Sequence, residues 1–149
     1  ASPVMQALRD AAATQAFGRQ LALRLPAGSI LLLAGDLGAG KTCLVQGLAA
    51  GLGIEEPITS PTFALAQHYP LQPAGGLVHL DLYRLELAAA ADELFAQEEE
   101  EARALGALLA VEWPERLSRP PAGCWQIQLS LSDPSNPEAG RLIEVRSPS

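Results

Sequence analysis

Two stretches of the chain carry apolar residues at the four-residue spacing of a helix, and a third is rich in alanine. The repeating residues are Phe17, Leu21 and Leu25 in the first stretch and Leu44, Leu48 and Leu52 in the second. The first triplet predicts a helix over about Thr14 to Leu25, followed by Gly28. The alanine-rich stretch from Leu87 to Ala104 predicts a further helix, in one piece or two.

Short apolar runs and alternating segments between these helices predict six strands. They lie at about residues 29–34, 63–69, 77–83, 107–111, 125–131 and 141–146. Residues 30–34 and 107–111 are continuously apolar, as buried strands are, whereas the last two segments alternate, as half-exposed antiparallel strands do. Turn-rich connections at 54–61, 70–76 and 133–140 separate them. The pattern predicts an α/β fold with a mixed sheet flanked by helices.

Composition limits the chain to one core. With 149 residues, 48% of them hydrophobic and 18% charged, we expect a single domain over residues 1–149, with a disordered tail at 147–149. No signal-peptide pattern or run of about eighteen apolar residues is visible. Cys43 and Cys124 are expected to be free thiols. These features favour a cytoplasmic protein with no membrane partner.

Charge argues against direct binding to nucleic acid. The formal net charge is −7, and the positive residues are one lysine and nine scattered arginines. Because phosphate-backbone binding needs clustered positive charge, the chain is expected to be a poor free-standing binder of RNA or DNA. The run Glu98 to Glu101 is either a solvated helix face or a docking patch for a basic partner.

The only lysine lies in a phosphate-binding motif. Residues 35–42 read Gly-Asp-Leu-Gly-Ala-Gly-Lys-Thr and match G-x-x-x-x-G-K-[ST] at every required position, between a predicted strand and a predicted helix. Side chains at Gly35, Gly38 or Gly40 would obstruct a phosphate group that approaches the backbone. Lys41 can place its charge on the β and γ phosphates, and the Thr42 hydroxyl is suited to Mg²⁺. The motif predicts a P-loop NTPase-like domain.

Two acidic residues at predicted strand ends are candidates to hold Mg²⁺ or its waters. Asp81 ends the run Leu-Val-His-Leu-Asp, and Glu112 ends Leu-Leu-Ala-Val-Glu. Thr62, just after a proline, could add a hydroxyl as a switch threonine does, or could cap a helix or strand. Trp113 could stack on a base or a partner, or belong to the core. His68 and His79 lack a second ligand at metal spacing and are interpreted as structural.

Four motifs in this order resemble the TsaE (YjeE) family of small bacterial P-loop ATPases. They are residues 35–42, Ser-Pro-Thr-Phe at 60–63, His-Leu-Asp-Leu-Tyr-Arg-Leu at 79–85 and Val-Glu-Trp-Pro-Glu at 111–115. Thr14 with Phe17 and Gly18 also resembles the family's N-terminal segment. The resemblance implies an ATPase needed for threonylcarbamoyladenosine in tRNA, next to the anticodon. It implies action with TsaD and TsaB, contact with tRNA only indirectly through that complex, and no transfer of the threonylcarbamoyl group by this chain.

The resemblance also assigns roles to residues. Thr42 and Glu112 match the Mg²⁺ ligands, Lys41 the phosphate-binding lysine, Asp81 a catalytic acid and Thr14 a nucleotide contact. We therefore predict that the catalytic residues are Lys41, Thr62, Asp81 and Glu112. The predicted contacts to ATP or ADP are Thr14, Gly35, Asp36, Leu37, Gly38, Ala39, Gly40, Lys41, Thr42, Cys43 and Trp113. Cys43 replaces the family's more frequent threonine, and the helical segment after Leu85, with its alanine and glutamate runs, departs from the family's pattern.

Two other functions fit the same motif. A small-molecule kinase would transfer the γ-phosphate to an acceptor, but it usually needs a lid with arginines, and residues 86–106 contain one arginine. A nucleotide-sensing adaptor would bind ATP without turnover. No Asn-Lys-x-Asp guanine motif is present, which favours ATP.

Overall fold

A computed structural model describes residues 3–36, 38–59 and 65–148 of the protein. Three α-helices and seven strands are found within these ranges. The strands are β1 (Val4–Leu8), β2 (Ile30–Gly35), β3 (Ala66–Pro70), β4 (Gly76–Asp81), β5 (Leu108–Glu112), β6 (Trp125–Leu131) and β7 (Arg141–Arg146). The helices are α1 (Ala11–Arg24), α2 (Lys41–Leu52) and α3 (Ala88–Leu105). None of these helices is long and apolar enough to cross a membrane.

The strands form one mixed sheet in the order β1-β7-β6-β2-β5-β4-β3. β6, β2, β5 and β4 are parallel to one another. The edge strand β3 pairs antiparallel with β4, and at the other side of the sheet β7 pairs antiparallel with both β6 and the edge strand β1. The predicted α/β fold with a mixed sheet flanked by helices is therefore confirmed.

Alternate residues of the central strands face two different hydrophobic clusters. Leu31 and Leu33 of β2 pack in the cluster that contains α1 and α2, whereas Leu32 packs in the cluster that contains α3. Because successive side chains of a strand point to opposite faces, α1 and α2 cover one face of the sheet and α3 covers the other. The continuously apolar sequences of β2 and β5 follow from this burial on both faces.

The N-terminal strand β1 was not predicted from the sequence. It pairs with β7 in register from Val4 with Val145 to Leu8 with Arg141. Only its last residue is buried, so Val-Met-Gln-Ala-Leu shows no clear alternation. Helix α1 also begins earlier than predicted, because the Asp10 side chain accepts a hydrogen bond of 2.8 Å from the N–H of Ala13.

Two other predicted elements differ in extent. β4 ends at Asp81, two residues earlier than predicted, and α3 is one continuous helix. The glutamate run lies within α3, where Glu100 and Glu101 are exposed, as a solvated face requires, but Glu98 is buried and contacts His68. Leu37, Ser149 and residues 60–64, which include Thr62, lie outside the described residues.

Helices α1 and α2 pack closely because glycines line their contact. A Cβ atom on Gly18 of α1 would lie 2.5 Å from the carbonyl oxygen of Leu44. A Cβ atom on Gly47 of α2 would overlap the carbonyl oxygen of Gln15. Backbone cannot move aside as a flexible side chain can, so larger residues would push the helices apart. This packing holds α1 beside the first turns of α2.

We predict that Gly47→Ala destabilises the fold by about 1–3 kcal/mol, as overpacking does. Helix propensity alone would favour alanine by about 1 kcal/mol at this position, so the sign of the change tests the close packing. Urea unfolding measures the free energy, and Ala50→Gly, at an exposed position of the same helix, is the control for propensity. Equal or higher stability of Gly47→Ala would contradict the packing.

Candidate active site

The candidate site lies at the carboxyl ends of the parallel strands β2, β5 and β4. β5 pairs with β2 on one side and with β4 on the other, which places Glu112 opposite Leu33 and Asp81. From β5 the chain crosses to β6, on the far side of β2. Crevices outside the carboxyl ends of strands, where the strand order reverses in this way, are the usual ligand sites of open α/β sheets.

The loop between β2 and α2 has a backbone that only glycine accepts readily. Gly35, Gly38 and Gly40 all have positive φ angles, of 148°, 82° and 102°. At Gly35 a Cβ atom would also overlap the carbonyl oxygen of Leu129. Gly40 precedes α2 and offers no side-chain cap to its first N–H groups. An uncapped helix N-terminus that follows a glycine loop is an anion-binding arrangement.

The ammonium group of Lys41 is buried beside this loop. The lysine is 6% exposed, and its Nζ donates a hydrogen bond of 2.7 Å to the carbonyl oxygen of Gly35. Nζ also lies 4.3 Å from the centroid of the Trp113 ring, within the range of a cation–π interaction. A buried cation is therefore held at the N-terminus of α2, where it would attract an anion.

Glu112 is buried at the end of β5 and pairs with a histidine. Its Oε2 lies 2.6 Å from Nε2 of His79, which belongs to β4 and is fully buried. Both residues lie on the α1–α2 face of the sheet, because Ala110 and Leu77, two positions earlier in their strands, pack in that cluster. His79 is thus part of the site and not only of the core.

The Asp81 carboxyl group lies beside Glu112 and accepts a hydrogen bond of 3.0 Å from the N–H of Tyr83. Burial raises the pKa of Asp81 above its ordinary value, and the negative charge of Glu112 raises it further. The Tyr83 hydrogen bond and the charges of His79 and Lys41 oppose the increase. A carboxyl group with a raised pKa at a strand end can accept a proton more readily than an ordinary aspartate.

A pair of tilted aromatic rings borders the site on the side of Lys41. The rings of Trp113 and Tyr83 have centroids 4.7 Å apart at an interplanar angle of 51°. The guanidinium carbon of Arg116 lies 5.7 Å from the Tyr83 centroid. Trp113 itself has φ of 59° and ψ of 50°, a left-handed conformation that is rare for a bulky residue. Such backbone strain concentrates at functional sites.

Arg141 reaches the loop from the start of β7. Its guanidinium lies 3.4 Å from the carbonyl oxygen of Gly38 and 3.1 Å from that of Pro137. Its Nε is buried and has no hydrogen-bond partner in the described part of the chain. A Cβ atom on Gly40 would lie 3.0 Å from this Nε and 3.7 Å from Cγ2 of Thr14. Gly40 thus lies beside both Arg141 and Thr14.

The structure brings most of the residues predicted from the sequence to this place. The glycines of the loop, Lys41, Asp81, Glu112 and Trp113 lie together as described, and Cys43 is half-buried in the first turn of α2. Thr14 is fully buried, and its hydroxyl donates to the carbonyl oxygen of Asp10. Leu37 and Thr62 stay predictions, since they lie outside the described residues.

Two residues of the site were not predicted from the sequence. His79 shares a strand with Asp81 two residues away, so the same-face spacing was an available signal. Arg141 carries no local signal, because the loop it contacts is 103 residues away in the chain.

Oxygen donors suited to a divalent cation are present at the same edge. The Glu112 carboxylate is at the end of β5, and the Thr42 hydroxyl belongs to the first turn of α2. In the described ranges no group of three or more His, Cys, Asp or Glu side chains could hold a metal ion. A cation here would share its coordination between these oxygens, water and a ligand, as Mg²⁺ commonly does.

We predict that Asp81→Asn raises the melting temperature of the ligand-free protein at neutral pH. The pKa of Asp81 is raised in the folded state, so the charged aspartate lowers the free energy of unfolding at a pH above this pKa. This destabilisation disappears as the pH falls below the ordinary aspartate pKa of about 3.9. The increase in melting temperature of Asp81→Asn over the wild type should therefore become smaller as the pH is lowered from 7 to about 4 in thermal scans.

Asp92→Asn is the matched control for this measurement. Two hydrogen bonds from Ser118 lower the pKa of Asp92, so its charged form is favoured by folding, and the same substitution should lower stability at neutral pH. A lower melting temperature of Asp81→Asn than of the wild type at pH 7 would contradict the assignment.

Comparisons with known proteins identify the family. The family model "Threonylcarbamoyl adenosine biosynthesis protein TsaE" matches residues 8–139. Two relatives, each named "tRNA threonylcarbamoyladenosine biosynthesis protein TsaE", are similar to this chain. The one from Synechocystis is 51% identical over 77% of this chain and 73% of its own. The one from Nostoc is 42% identical over 93% of this chain and 82% of its own.

A solved structure agrees with these sequence matches. The crystal structure of YdiB from Bacillus subtilis superimposes with a TM-score of 0.70 and 28% identity, and the match covers 99% of this chain and 87% of that one. The resemblance that the sequence motifs indicated is therefore confirmed. The chain belongs to the TsaE family of threonylcarbamoyladenosine biosynthesis proteins.

Proposed function

We propose that this protein is a Mg²⁺-dependent ATPase that supports the threonylcarbamoyl modification of tRNA within a complex containing TsaD and TsaB. The observation that carries the proposal is the buried ammonium of Lys41, placed at an uncapped helix N-terminus beside two strand-end carboxyl groups. A lysine at the phosphate loop, a helix N-terminus and strand-end acidic groups are the parts with which P-loop NTPases hold the phosphates and Mg²⁺ of a nucleoside triphosphate.

The phosphate groups would bind at the loop. The glycines leave the backbone N–H groups at the start of α2 open to phosphate oxygens, and the helix dipole favours the negative charge. Lys41 would exchange the Gly35 carbonyl for phosphate oxygens, which make stronger, charge-assisted hydrogen bonds. We further propose that Arg141, beside Gly40, contributes a second positive charge to the bound nucleotide.

Thr42 and Glu112 would hold Mg²⁺, which would neutralise part of the charge that the phosphates carry. Asp81 is the residue proposed to order the attacking water and receive its proton, since its carboxyl group is adjacent to Glu112 and has a raised pKa. Trp113 packs on Lys41 and is proposed to keep water from the phosphate-binding side of the site.

Charge favours a role within a complex. With a net charge of −7 and its single lysine already at the loop, the chain cannot neutralise many tRNA phosphates. We propose that TsaD and TsaB supply the tRNA contacts and the transfer chemistry. ATP hydrolysis by this chain would then drive a conformational or assembly step of the complex.

We predict that Lys41→Met weakens ATP binding roughly 10- to 100-fold, because a hydrogen bond to a charged group contributes about 1.5–3 kcal/mol. Methionine keeps an apolar stem against Trp113 while it removes the ammonium. Calorimetry measures the affinity, circular dichroism checks the fold, and a phosphate-release assay without any acceptor measures turnover. Arg103→Met, which removes an equal charge from an exposed ion pair with Glu99, should change neither affinity nor turnover.

The same assay separates hydrolysis from the other functions that the motif allows. Phosphate release without an acceptor supports an ATPase. ATP binding with no phosphate release, alone or with TsaD and TsaB present, would contradict the ATPase and leave the adaptor or a kinase that lacks its acceptor. Unchanged ATP affinity in Lys41→Met would show that the nucleotide site has been placed wrongly.

We also predict that binding to TsaD and TsaB depends on the nucleotide. The loop lies between β2 and the N-terminus of α2, so contacts to the γ-phosphate can differ between ATP and ADP and bias a neighbouring surface. Calorimetry or pull-down should give different affinities for TsaD and TsaB when the wild type carries ATP, when it carries ADP, and when Lys41→Met is used. Equal affinities in the three conditions, or tight salt-resistant tRNA binding by the isolated chain, would contradict the proposal.

A further inference from the structure

The proposed function gives a role to Glu112 but none to His79, the buried histidine that pairs with it. An ionised carboxylate only accepts hydrogen bonds, so Nε2 of His79 is the donor across the 2.6 Å contact with Oε2 of Glu112. The other ring nitrogen, Nδ1, is buried without a hydrogen-bond partner in the described residues. Glu112 is therefore the one described side chain to which the ring is hydrogen-bonded.

The register of β4 and β5 places the His79 ring and the Glu112 carboxylate within reach of each other. In the parallel register His79 lies opposite Ala110, and Glu112 is two residues further along β5 on the same face. The small side chain of Ala110 leaves room for the ring beside the strand, and the ring reaches diagonally to the carboxylate. His79 is 0% exposed and Glu112 is 4% exposed, so water does not compete strongly for the contact.

A glutamate that binds a metal gains from such a partner. Its side chain has three rotatable bonds, and ordering it on metal binding costs conformational entropy. The His79 hydrogen bond occupies Oε2 before any ligand arrives and leaves the second oxygen for a cation. Partners of this kind orient metal ligands and commonly affect metal affinity about 10- to 100-fold.

We propose that His79 is a positioning residue that holds the Glu112 carboxylate ready for a divalent cation bound together with the nucleotide. The inference rests on the proposed function, because it needs Glu112 to be a metal ligand. It assigns to His79 no contact with the nucleotide and no proton transfer.

The experiment measures ADP affinity by calorimetry as a function of free Mg²⁺. Mg²⁺ is expected to strengthen ADP binding to the wild type. In His79→Leu, the Mg²⁺ concentration at which half of this increase in ADP affinity is reached should rise about 10- to 100-fold. The ADP affinity without Mg²⁺ should stay at the wild-type value. A general loss of structure would instead lower both affinities. Thermal unfolding of each variant is recorded alongside.

Two amide substitutions distinguish the effect of the His79 hydrogen bond from the effect of filling the space with its ring. The side-chain nitrogen of glutamine corresponds in position to Nε2 of histidine, and that of asparagine corresponds to Nδ1. His79→Gln should therefore restore the wild-type Mg²⁺ dependence, whereas His79→Asn should behave as His79→Leu. If His79→Leu fails to fold, the contrast between the two amides decides the question, and equal Mg²⁺ dependence of the two would overturn the proposal.

The chain offers a matched control in its second histidine–glutamate pair. Nε2 of His68 lies 2.8 Å from Oε1 of Glu98, between β3 and α3. His68→Leu should leave the Mg²⁺ dependence unchanged, and a change equal to that of His79→Leu would overturn the inference.

Measurements on the wild-type protein and on Glu112→Gln distinguish failure of the proposed Mg²⁺ site from failure of the inference about His79. If Mg²⁺ does not strengthen ADP binding to the wild type, the proposed Mg²⁺ site and the role of His79 both fail. If Glu112→Gln removes the Mg²⁺ effect while His79→Leu keeps the wild-type dependence, the proposed function stands and the inference about His79 is wrong.

Discussion

The register of β5 between β2 and β4 is the constraint on which the site depends. It sets Glu112 opposite Leu33, two residues before the glycine loop, and opposite Asp81 on the other side. A shift of β5 by one residue would turn Glu112 toward the α3 face, away from α2. The apolar sequence of the strand, buried in both clusters, holds the register, so packing of the core determines where the acidic group lies.

Most of the buried polar side chains in the described part of the chain lie at the site. Within the described residues the buried polar side chains are Thr14, Lys41, His79, Glu98 and Glu112, and all but Glu98 belong to the site. Burial of a charged group is costly unless the group is paired, and here the pairs are Lys41 with the Gly35 carbonyl and His79 with Glu112. Breaking either pair from one side leaves the other group buried without compensation. Stability and function therefore depend on the same contacts.

The sequence predicted what depends on local pattern. Helical spacing, apolar runs and the glycine motif predicted three helices, six of the seven strands and the loop with Lys41. The strand-end position predicted that Asp81 and Glu112 would lie at one edge, since parallel strands end together. Strand β1 could not be predicted, because four of its five residues are exposed and its partner β7 is at the other end of the chain. The same-face spacing with Asp81 could place His79 at the site, but its contact with Glu112 depends on a residue 33 positions away.

Residues of α1 and β7, far apart in the sequence, lie beside one glycine of the loop. Thr14 reaches Gly40 because the glycines between α1 and α2 let the two helices approach closely. Arg141 reaches Gly40 because β7 pairs with β6 and with the N-terminal strand β1. A side chain at position 40 would meet both of them, because its Cβ would lie 3.0 Å from Nε of Arg141 and 3.7 Å from Cγ2 of Thr14. The space beside the loop is therefore limited by residues of α1 and β7, although neither element belongs to the phosphate-binding motif.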